Sequence, residues 1–331
     1  MAAYRAGVVD VDYLPRVLCL EPTSACNFRC TSCPRPEVAT TVDVAELGRW
    51  LDREPAPFTA APVWVHFSGE SLLHPRFEEV CRLLTDRGAE IMLSTNGSVL
   101  RGRRAEMVMR TGLSLIVFSL DAAREETYRQ VRIGGDFAAV EANVRAFLRL
   151  RGAAAQPLAQ VQMVLGDQSL DEVLEFVRRW ADSDVDSISL KRYSTRGGRV
   201  APADSSRVRP PGGATRCLDP WLNVVVRADG SVVPCCADFG GELVLGSLKE
   251  STLGEIWAGE PARRLRSAHA TGEGLPLVCQ RCSDHRSDAD SESVTVLRRV
   301  PETVTEVAEL LATHPRHLVF EVGAHRRAGA G

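Results

Sequence analysis

Residues 26–33 read CNFRCTSC and place three cysteines, Cys26, Cys30 and Cys33, within eight positions. They follow directly on an apolar segment, Arg16 to Glu21, whose composition predicts a buried β-strand. A structural metal site closes with four protein ligands, whereas a reactive site keeps one position for a substrate. Three closely spaced thiols therefore predict a metal centre with one open position at the end of the first strand.

The composition is that of a globular protein from a reducing compartment. Of 331 residues, 44% are hydrophobic and 25% are charged, and the net charge of -3 gives no reason to expect a nucleic acid or an anionic membrane as partner. No apolar run approaches ~20 residues, and the N-terminus lacks the pattern of a signal peptide. We expect a cytoplasmic protein whose ten cysteines are metal ligands or buried thiols rather than disulfides.

Six short apolar segments alternate with amphipathic segments over the first 190 residues. Each is strongly apolar, as expected of a strand buried on both faces. The alternation predicts an α/β fold with a parallel sheet, either doubly wound or curled into a partial barrel, and functional residues at the C-terminal strand ends. The predicted strands are Arg16 to Glu21, Val63 to Phe67, Glu90 to Ser94, Leu115 to Leu120, Ala159 to Val164 and Ser187 to Leu190. The predicted helices span about residues 43–52, 76–87, 102–111, 137–151 (with Asp136 as N-cap) and 170–182.

A second cysteine group follows a segment rich in Gly, Pro, Ser and Arg (residues 194–216), which predicts a connection between domains. In this second part, WLNVVVRADGSVVPCC has two apolar runs joined by Asp229 and Gly230, and such a hairpin brings Cys235 near Cys217. Further on, ETVTEVAELLATH predicts a helix, and the last residues are expected to be frayed. The cysteines of the group are Cys217, Cys235, Cys236, Cys279 and Cys282.

Two kinds of metal centre fit these spacings. Three thiolates can hold three irons of a [4Fe-4S] cluster and leave the fourth iron for an external ligand, and four thiolates can close a second cluster. The alternatives are zinc sites, namely a zinc knuckle with a distant fourth ligand in the first group and a structural zinc ribbon in the second. The spacing alone leaves both kinds open.

The C-x3-C-x2-C pattern after a first strand resembles the signature of the radical S-adenosylmethionine (SAM) enzymes. Ser68-Gly69-Glu70-Ser71 resembles the family's Gly-Gly-Glu-Pro segment, Ser94-Thr95-Asn96-Gly97 its Ser-Thr-Asn-Gly motif, and Ser119-Leu120-Asp121 its Ser-x-Asp motif. Arg132 matches an arginine commonly near the SAM carboxylate. The chain departs from the family at Ser68 and Ser71, where Gly and Pro are usual, and at Ser32, where an aromatic residue often packs on adenine.

The resemblance covers about residues 16 to 192 and implies a partial (β/α)6 TIM-like barrel. It implies a [4Fe-4S] cluster on the first three cysteines, with SAM bound to its open iron. The implied SAM contacts are Ser68, Gly69, Glu70, Ser94, Asn96, Ser119, Asp121 and Arg132.

The second cysteine group resembles the shortened SPASM, or twitch, domain, which carries one auxiliary [4Fe-4S] cluster. The resemblance implies Cys217, Cys235, Cys279 and Cys282 as ligands and leaves Cys236 over. The implied organisation is a radical SAM core over residues 1–195, a linker over 196–214, a hairpin-plus-helix twitch domain over 215–285, and a C-terminal helical extension with a frayed tail over 286–331.

The cysteine spacing of this domain is close to that of a twitch dehydrogenase that acts on an aminocyclitol. The resemblance implies removal of a hydrogen atom from a carbinol carbon of an aminoglycoside- or aminocyclitol-type substrate and oxidation to a ketone through the auxiliary cluster, with flavodoxin or ferredoxin as electron donor. Three alternatives stay open: an aminoglycoside epimerase in which Cys236 or Cys19 returns a hydrogen atom, a peptide maturase, and a non-catalytic scaffold.

Polar residues at predicted strand ends are the candidates for substrate binding. Cys19 shares strand parity with Glu21, so both are expected to face the barrel interior, where Glu21 can bind ammonium groups. Cys81 lies on an apolar helix stripe and is assigned to core packing. The candidates for substrate hydroxyls or for the proton are His66, Lys191 and Arg192.

Metal analysis distinguishes these centres. We expect about eight iron atoms per chain after anaerobic reconstitution, because two four-iron clusters are predicted. Four iron atoms together with one zinc atom would overturn the auxiliary cluster and leave the zinc ribbon.

Overall fold

The computed structural model describes residues 2–53, 61–201, 216–284, 294–314 and 317–322. Six parallel strands lie side by side in chain order at the centre of one sheet, which confirms the predicted α/β class and the partial TIM-like barrel. Each overlaps its predicted segment, although the second is shorter than predicted. The strands are β1 (Val17–Leu20), β2 (Val63–Trp64), β3 (Ile91–Thr95), β4 (Leu113–Ser119), β5 (Leu158–Leu165) and β6 (Ser187–Arg192).

Helices connect these strands, and all five predicted ones are present. The Asp136 side chain accepts a hydrogen bond from the Ala139 N–H (2.9 Å), which confirms the predicted N-cap. Two short helices, the first and the fifth, were not predicted. No helix of the described residues has the length and apolar character that a membrane span requires. The helices are α1 (Ala2–Ala6), α2 (Val44–Arg53), α3 (Phe77–Thr85), α4 (Arg103–Arg110), α5 (Glu125–Val131), α6 (Phe137–Arg151) and α7 (Leu170–Ala181).

The two faces of the central sheet differ, contrary to the expectation of strands buried on both faces. On β5, Ala159, Val161 and Met163 are fully buried in the hydrophobic core. Gln160 and Gln162 point to the opposite face and are only half-buried. Since side chains alternate between the faces of a strand, the polar face lines the barrel interior and the apolar face packs against the helices.

The small domain continues the sheet beyond β1. Strand β7 (Asn223–Val226) pairs parallel to β1, and β8 (Ser231–Val233) pairs antiparallel to β7. Gly230 has a φ of +87°, so the predicted turn has the backbone conformation that favours glycine. A third strand, β9 (Gly246–Ser247), pairs with β8, and helices α8 (Leu253–Ala258), α9 (Glu260–Thr271) and α10 (Leu277–Gln280) follow.

The C-terminal part contains two strands as well as the predicted helix. Helix α11 (Val304–Thr313) lies in the predicted segment, but β11 (His317–Glu321) pairs antiparallel to β6 and β10 (Val294–Leu297) pairs parallel to β11. The predicted helical extension therefore also widens the sheet, to eleven strands among the described residues. Linker residues 202–215 and the tail from residue 323 lie outside the described residues.

The packing of β11 can be tested by mutation. Phe320 is fully buried in the hydrophobic core on the apolar face of the sheet, opposite Ile188. Phe320→Ala is therefore expected to lower the free energy of unfolding by about 3–5 kcal/mol. Val296 on β10 is 52% exposed, and Val296→Ala should change that free energy by less than about 0.5 kcal/mol. Anaerobic urea unfolding of both variants measures the difference; equally small effects would mean that β11 does not pack on the barrel.

Candidate active site

The loop after β1 holds the first three predicted cluster ligands close together. The Cys33 N–H donates to the Cys30 carbonyl (3.2 Å), and the N–H of Phe28 donates to Cys26 Sγ (3.4 Å). Burial raises the pKa of Cys33 to about 11, and the nearby Cys30 and Cys26 raise it as well. Thiols that influence one another's ionisation in this way lie near enough to share one centre.

A buried ion pair faces this loop from the end of β4. Arg132 contacts Asp121 (2.7 Å) and donates from its other terminal nitrogen to Cys30 Sγ (3.5 Å). Burial by itself lowers the pKa of Arg132, but Asp121 and Cys30 outweigh it and raise that pKa above its ordinary value. The Nε of Arg132 is buried and has no hydrogen-bond partner in the described part of the chain.

That Nε lacks an acceptor among the described residues, and a buried unpaired donor is unfavourable. A bound carboxylate fits this requirement. The donors that face Cys26 and Cys30 also suit sulfur ligands in their anionic form. The residues present therefore fit a [4Fe-4S] cluster on Cys26, Cys30 and Cys33, with the carboxylate of SAM near Arg132.

The turn after β2 lies directly against the cysteine loop at Gly69. Its φ is +80°, and a Cβ at this position would lie 2.4 Å from the Thr23 carbonyl oxygen and 2.8 Å from that of Ala25. The next residue, Glu70, donates its N–H to the same Ala25 carbonyl (2.8 Å). Only a residue without a side chain allows this approach.

The Glu70 carboxylate then joins this turn to the end of β3. One oxygen accepts from Thr95 Oγ1 (2.7 Å) and the Leu72 N–H (3.2 Å), and the other accepts from the Asn96 N–H (2.7 Å). The side-chain amide of Asn96 donates to Asn27 in the cysteine loop (3.1 Å). Glu70 and Asn96 therefore hold the predicted SAM-binding segments together through their side chains.

Ser94 and Ser119 occupy the interior face of neighbouring strands. Their hydroxyl oxygens lie 3.1 Å apart, and Gln162 Nε2 donates to Ser119 Oγ (3.5 Å). Ser68, in the turn after β2, is buried and donates its N–H to Glu21 (3.2 Å) and its hydroxyl to the same oxygen. The three serines predicted to contact SAM thus lie at the ends of adjacent strands.

The four predicted auxiliary ligands line one partly open cavity, with about 390 Å³ of non-atom space when open solvent is included. The Cys217 N–H donates to Nδ1 of the buried His269 (3.3 Å), which lines the same cavity. Cys236 is not among the lining residues. The thiols on the cavity wall are Cys217, Cys235, Cys279 and Cys282. The donor set fits a closed four-thiolate cluster, with the fifth cysteine outside it.

Among the described residues, no three His, Cys, Asp or Glu side chains approach closely enough to hold a single metal ion. A four-iron cluster is larger than one ion and spaces its ligands more widely.

Four predicted substrate-site residues come together in the barrel interior. Burial raises the pKa of Cys19 and of Cys236, and the Lys191 ammonium lies near enough to both thiols to oppose part of that rise. Cys19 also lies near Cys236, which contributes to its raised pKa. Burial first, and then Lys191 and Arg196, lower the pKa of His66 to about 3, so its imidazole is neutral at neutral pH.

Two other predicted substrate residues hold contacts within the chain. One oxygen of the buried Glu21 carboxylate accepts from Ser68 and the other from the Ala228 N–H (3.0 Å), so the carboxylate joins the turn after β2 to the hairpin, and its role toward a substrate ammonium group stays a prediction. Arg192 donates to the Leu311 carbonyl of α11 (2.7 Å) on the outer face of β6, so its assignment to the interior is wrong. That error arose because one position along a strand reverses inside and outside.

Arg196 is a site residue that the sequence analysis missed. It stacks over Phe239 (5.2 Å to the ring centroid) and lies near both Cys33 and the auxiliary ligand Cys282. Its Nε is buried without a hydrogen-bond partner among the described residues. Arg196 was not predicted because it stands in the Gly-rich segment that was assigned to a linker. The adjacent Gly197 and Gly198, which both have positive φ, were the sequence signal for an ordered turn at this place.

Comparison with known families agrees with this geometry. A model of the radical SAM superfamily matches residues 20–180, and a model of the SPASM iron-sulfur cluster-binding domain matches residues 217–283. The two matches together cover more than half of the chain. The chain belongs to the radical SAM superfamily and is a radical SAM enzyme with a SPASM domain, which implies SAM, a [4Fe-4S] cluster and auxiliary iron-sulfur binding.

Individual relatives are distant. The chain is 22% identical to the S-adenosyl-L-methionine-dependent 2-deoxy-scyllo-inosamine dehydrogenase of Niallia circulans over 83% of its own length and 95% of the relative's. It is 29% identical to the AdoMet-dependent heme synthase of Methanosarcina barkeri, but over only 36% of this chain and 34% of that relative.

Two solved structures share the fold. The crystal structure of BtrN in complex with AdoMet and 2-DOIA has a TM-score of 0.58 at 20% identity, covering 82% of this chain and 94% of that one. The structure of Streptococcus suis SuiB bound to precursor peptide SuiA has a TM-score of 0.64 at 12% identity, covering 81% and 69%.

The close approach at Gly69 predicts a large effect of one methyl group. Gly69→Ala adds a steric clash to an unfavourable φ, so we expect the free energy of unfolding to fall by about 3 kcal/mol or more and the first cluster to be lost. Gly102→Ala is the matched control: its φ is +53° but nothing lies within 4 Å, so about 1 kcal/mol is expected. Urea unfolding and iron content measure both; equal losses would contradict the proposed contact.

Proposed function

We propose that the enzyme oxidises a secondary alcohol of an aminocyclitol-, aminoglycoside- or similar polyol-type substrate to a ketone. The observation that carries the proposal is that Lys191 lies near His66 and Cys236, while Arg196 lies near Cys236, Cys33 and the auxiliary ligand Cys282. A substrate held there has one centre on each side. That arrangement suits the removal of two electrons in two separate steps.

The interior surface favours a substrate that is rich in hydroxyl groups. Neutral side chains that both donate and accept hydrogen bonds follow one another across β3, β4 and β5, namely Ser94, Ser119 and Gln162. Such groups pair with hydroxyls and leave no charge to be neutralised. An apolar substrate would leave their remaining donors and acceptors unpaired, which is unfavourable in a closed site.

The charged groups of the interior can hold the reacting oxygen. His66 Nδ1 accepts from the Ser94 N–H (3.3 Å), so the ring proton lies on Nε2 and can be donated to a substrate oxygen. Lys191 and Arg196 bring positive charge to the same region and stabilise that oxygen as it gains negative charge. When bound, SAM would supply the radical that takes the hydrogen atom from carbon, and the auxiliary cluster would accept the remaining electron while the hydroxyl proton passes to solvent.

The similar proteins support this choice of substrate class. The Niallia circulans relative is named for the dehydrogenation of 2-deoxy-scyllo-inosamine, and the match spans 95% of it. We extend this to an electron donor such as flavodoxin or ferredoxin and to a cytoplasmic location, which fits a chain rich in reduced thiols.

The proposal is tested with 2-deoxy-scyllo-inosamine and a panel of aminoglycosides. Anaerobically reconstituted, reduced enzyme with SAM should form 5′-deoxyadenosine and a product lighter by about two mass units, since a dehydrogenation removes two hydrogen atoms. Cys279→Ala removes an auxiliary ligand and should lower ketone formation at least about tenfold while SAM cleavage continues. Cys81→Ala, at a buried core thiol on α3, is the control for general loss of activity. Ketone formation by Cys279→Ala at the control's rate would overturn the role of the auxiliary site.

Epimerisation is the second candidate because Cys236 stands outside the auxiliary cavity and near Lys191. In deuterium oxide an epimerase gives a product of unchanged redox state with deuterium on carbon, whereas the proposed dehydrogenase gives a ketone without it. Cys236→Ala should then abolish the epimer but not the ketone. Modification of a peptide with no reaction of any polyol would instead favour a maturase, in line with the fold shared with SuiB.

A further inference from the structure

Strand β11 brings an additional imidazole to the barrel interior. In the antiparallel pairing of β11 with β6, His317 lies opposite Lys191 and Val319 opposite Ser189. Residues opposite each other in a sheet point to the same face. His317 therefore belongs to the interior face, at the C-terminal end of β6, where Lys191 contributes to the site described above.

A hydrogen bond fixes the orientation of this ring. His317 Nε2 and the hydroxyl of the fully buried Ser189 share a hydrogen bond of 2.6 Å. No described residue forms a hydrogen bond with the second ring nitrogen, Nδ1. The ring is thus held by Nε2, while Nδ1 can bond to a group beyond the described residues.

His317 is neutral at neutral pH. Burial first, and then Lys191, lower its pKa to about 4. A neutral imidazole beside an ammonium group can accept or donate one hydrogen bond without adding charge to the site. Together with His66, it places a second neutral ring near Lys191.

We propose that His317 contacts the substrate, with Nδ1 hydrogen-bonded to a substrate hydroxyl beside Lys191. The inference rests on the proposed polyol substrate and deepens it, because it assigns part of substrate recognition to the C-terminal strand. The strand then acts as a wall of the substrate site as well as an edge of the sheet.

Two substitutions separate this role from a structural one. In His317→Gln the amide reaches about as far as Nε2, so the hydrogen bond to Ser189 is kept but the group at Nδ1 is lost. In His317→Asn the amide lies near the position of Nδ1, so that group is replaced but the hydrogen bond to Ser189 is lost. We expect the Kd for 2-deoxy-scyllo-inosamine to rise at least about tenfold in His317→Gln and at most about threefold in His317→Asn. A purely structural imidazole predicts the reverse order. His314→Gln is the control, since His314 at the end of α11 contacts Thr295 (3.3 Å) rather than β6.

Titration calorimetry of SAM-loaded, unreduced enzyme measures these affinities without turnover, and thermal unfolding checks the fold. The inference is overturned if His317→Gln binds the substrate as tightly as the wild type, or if His317→Asn binds it more weakly than His317→Gln does. Ketone formation by the wild type would still support the proposed function in that case. Absence of any polyol binding and product in the wild type overturns both.

Discussion

The backbone contact between the turn after β2 and the cysteine loop is the constraint on which the active site depends. At Gly69 two chain segments meet so closely that no side chain fits between them, and the Glu70 N–H binds the carbonyl of Ala25 at the same place. The Glu70 carboxylate accepts hydrogen bonds from Thr95 and Asn96, and these bonds fix the turn relative to the end of β3. The thiol loop is thereby held by strand ends rather than by its own short sequence, as a preorganised site requires.

Charge in the interior is arranged around sites for anions. Arg132 lies beside Cys30 and is paired with Asp121, whereas Arg196 lies between Cys33 and the thiols of the small domain. Each carries a buried Nε without a partner in the described part of the chain, and buried unpaired donors are rare in folded proteins. The Nε of each arginine can therefore donate a hydrogen bond to a ligand that carries a negative charge or a free lone pair. On β3, β4 and β5 the interior side chains Ser94, Ser119 and Gln162 are neutral and polar and can form hydrogen bonds.

Local signals in the sequence were enough for the framework and for the thiols. Cysteine spacing, a turn at Asp229 and Gly230, and polar motifs at strand ends are all short-range patterns, and the fold they predicted is present. Strand parity was less reliable, because Arg192 lies one residue from Lys191 and faces the other way. His317 and Arg196 could not be found by such patterns. One depends on pairing between strands more than a hundred residues apart, and the other stands in a segment whose composition is typical of a loop.

The buried carboxylate of Glu21 has a mechanical consequence. It accepts from Ser68 at the mouth of the barrel and from Ala228 in the hairpin, and β7 is bonded along the whole of β1. An outward rotation of the small domain would break the hydrogen bonds between β1 and β7. It would also leave the buried Glu21 carboxylate without its Ala228 partner, which is unfavourable. The separation between the first cysteine loop and the cysteines of the small domain is therefore set when the chain folds. Any opening that admits a substrate has to come from loops at the rim, not from a hinge between the two halves.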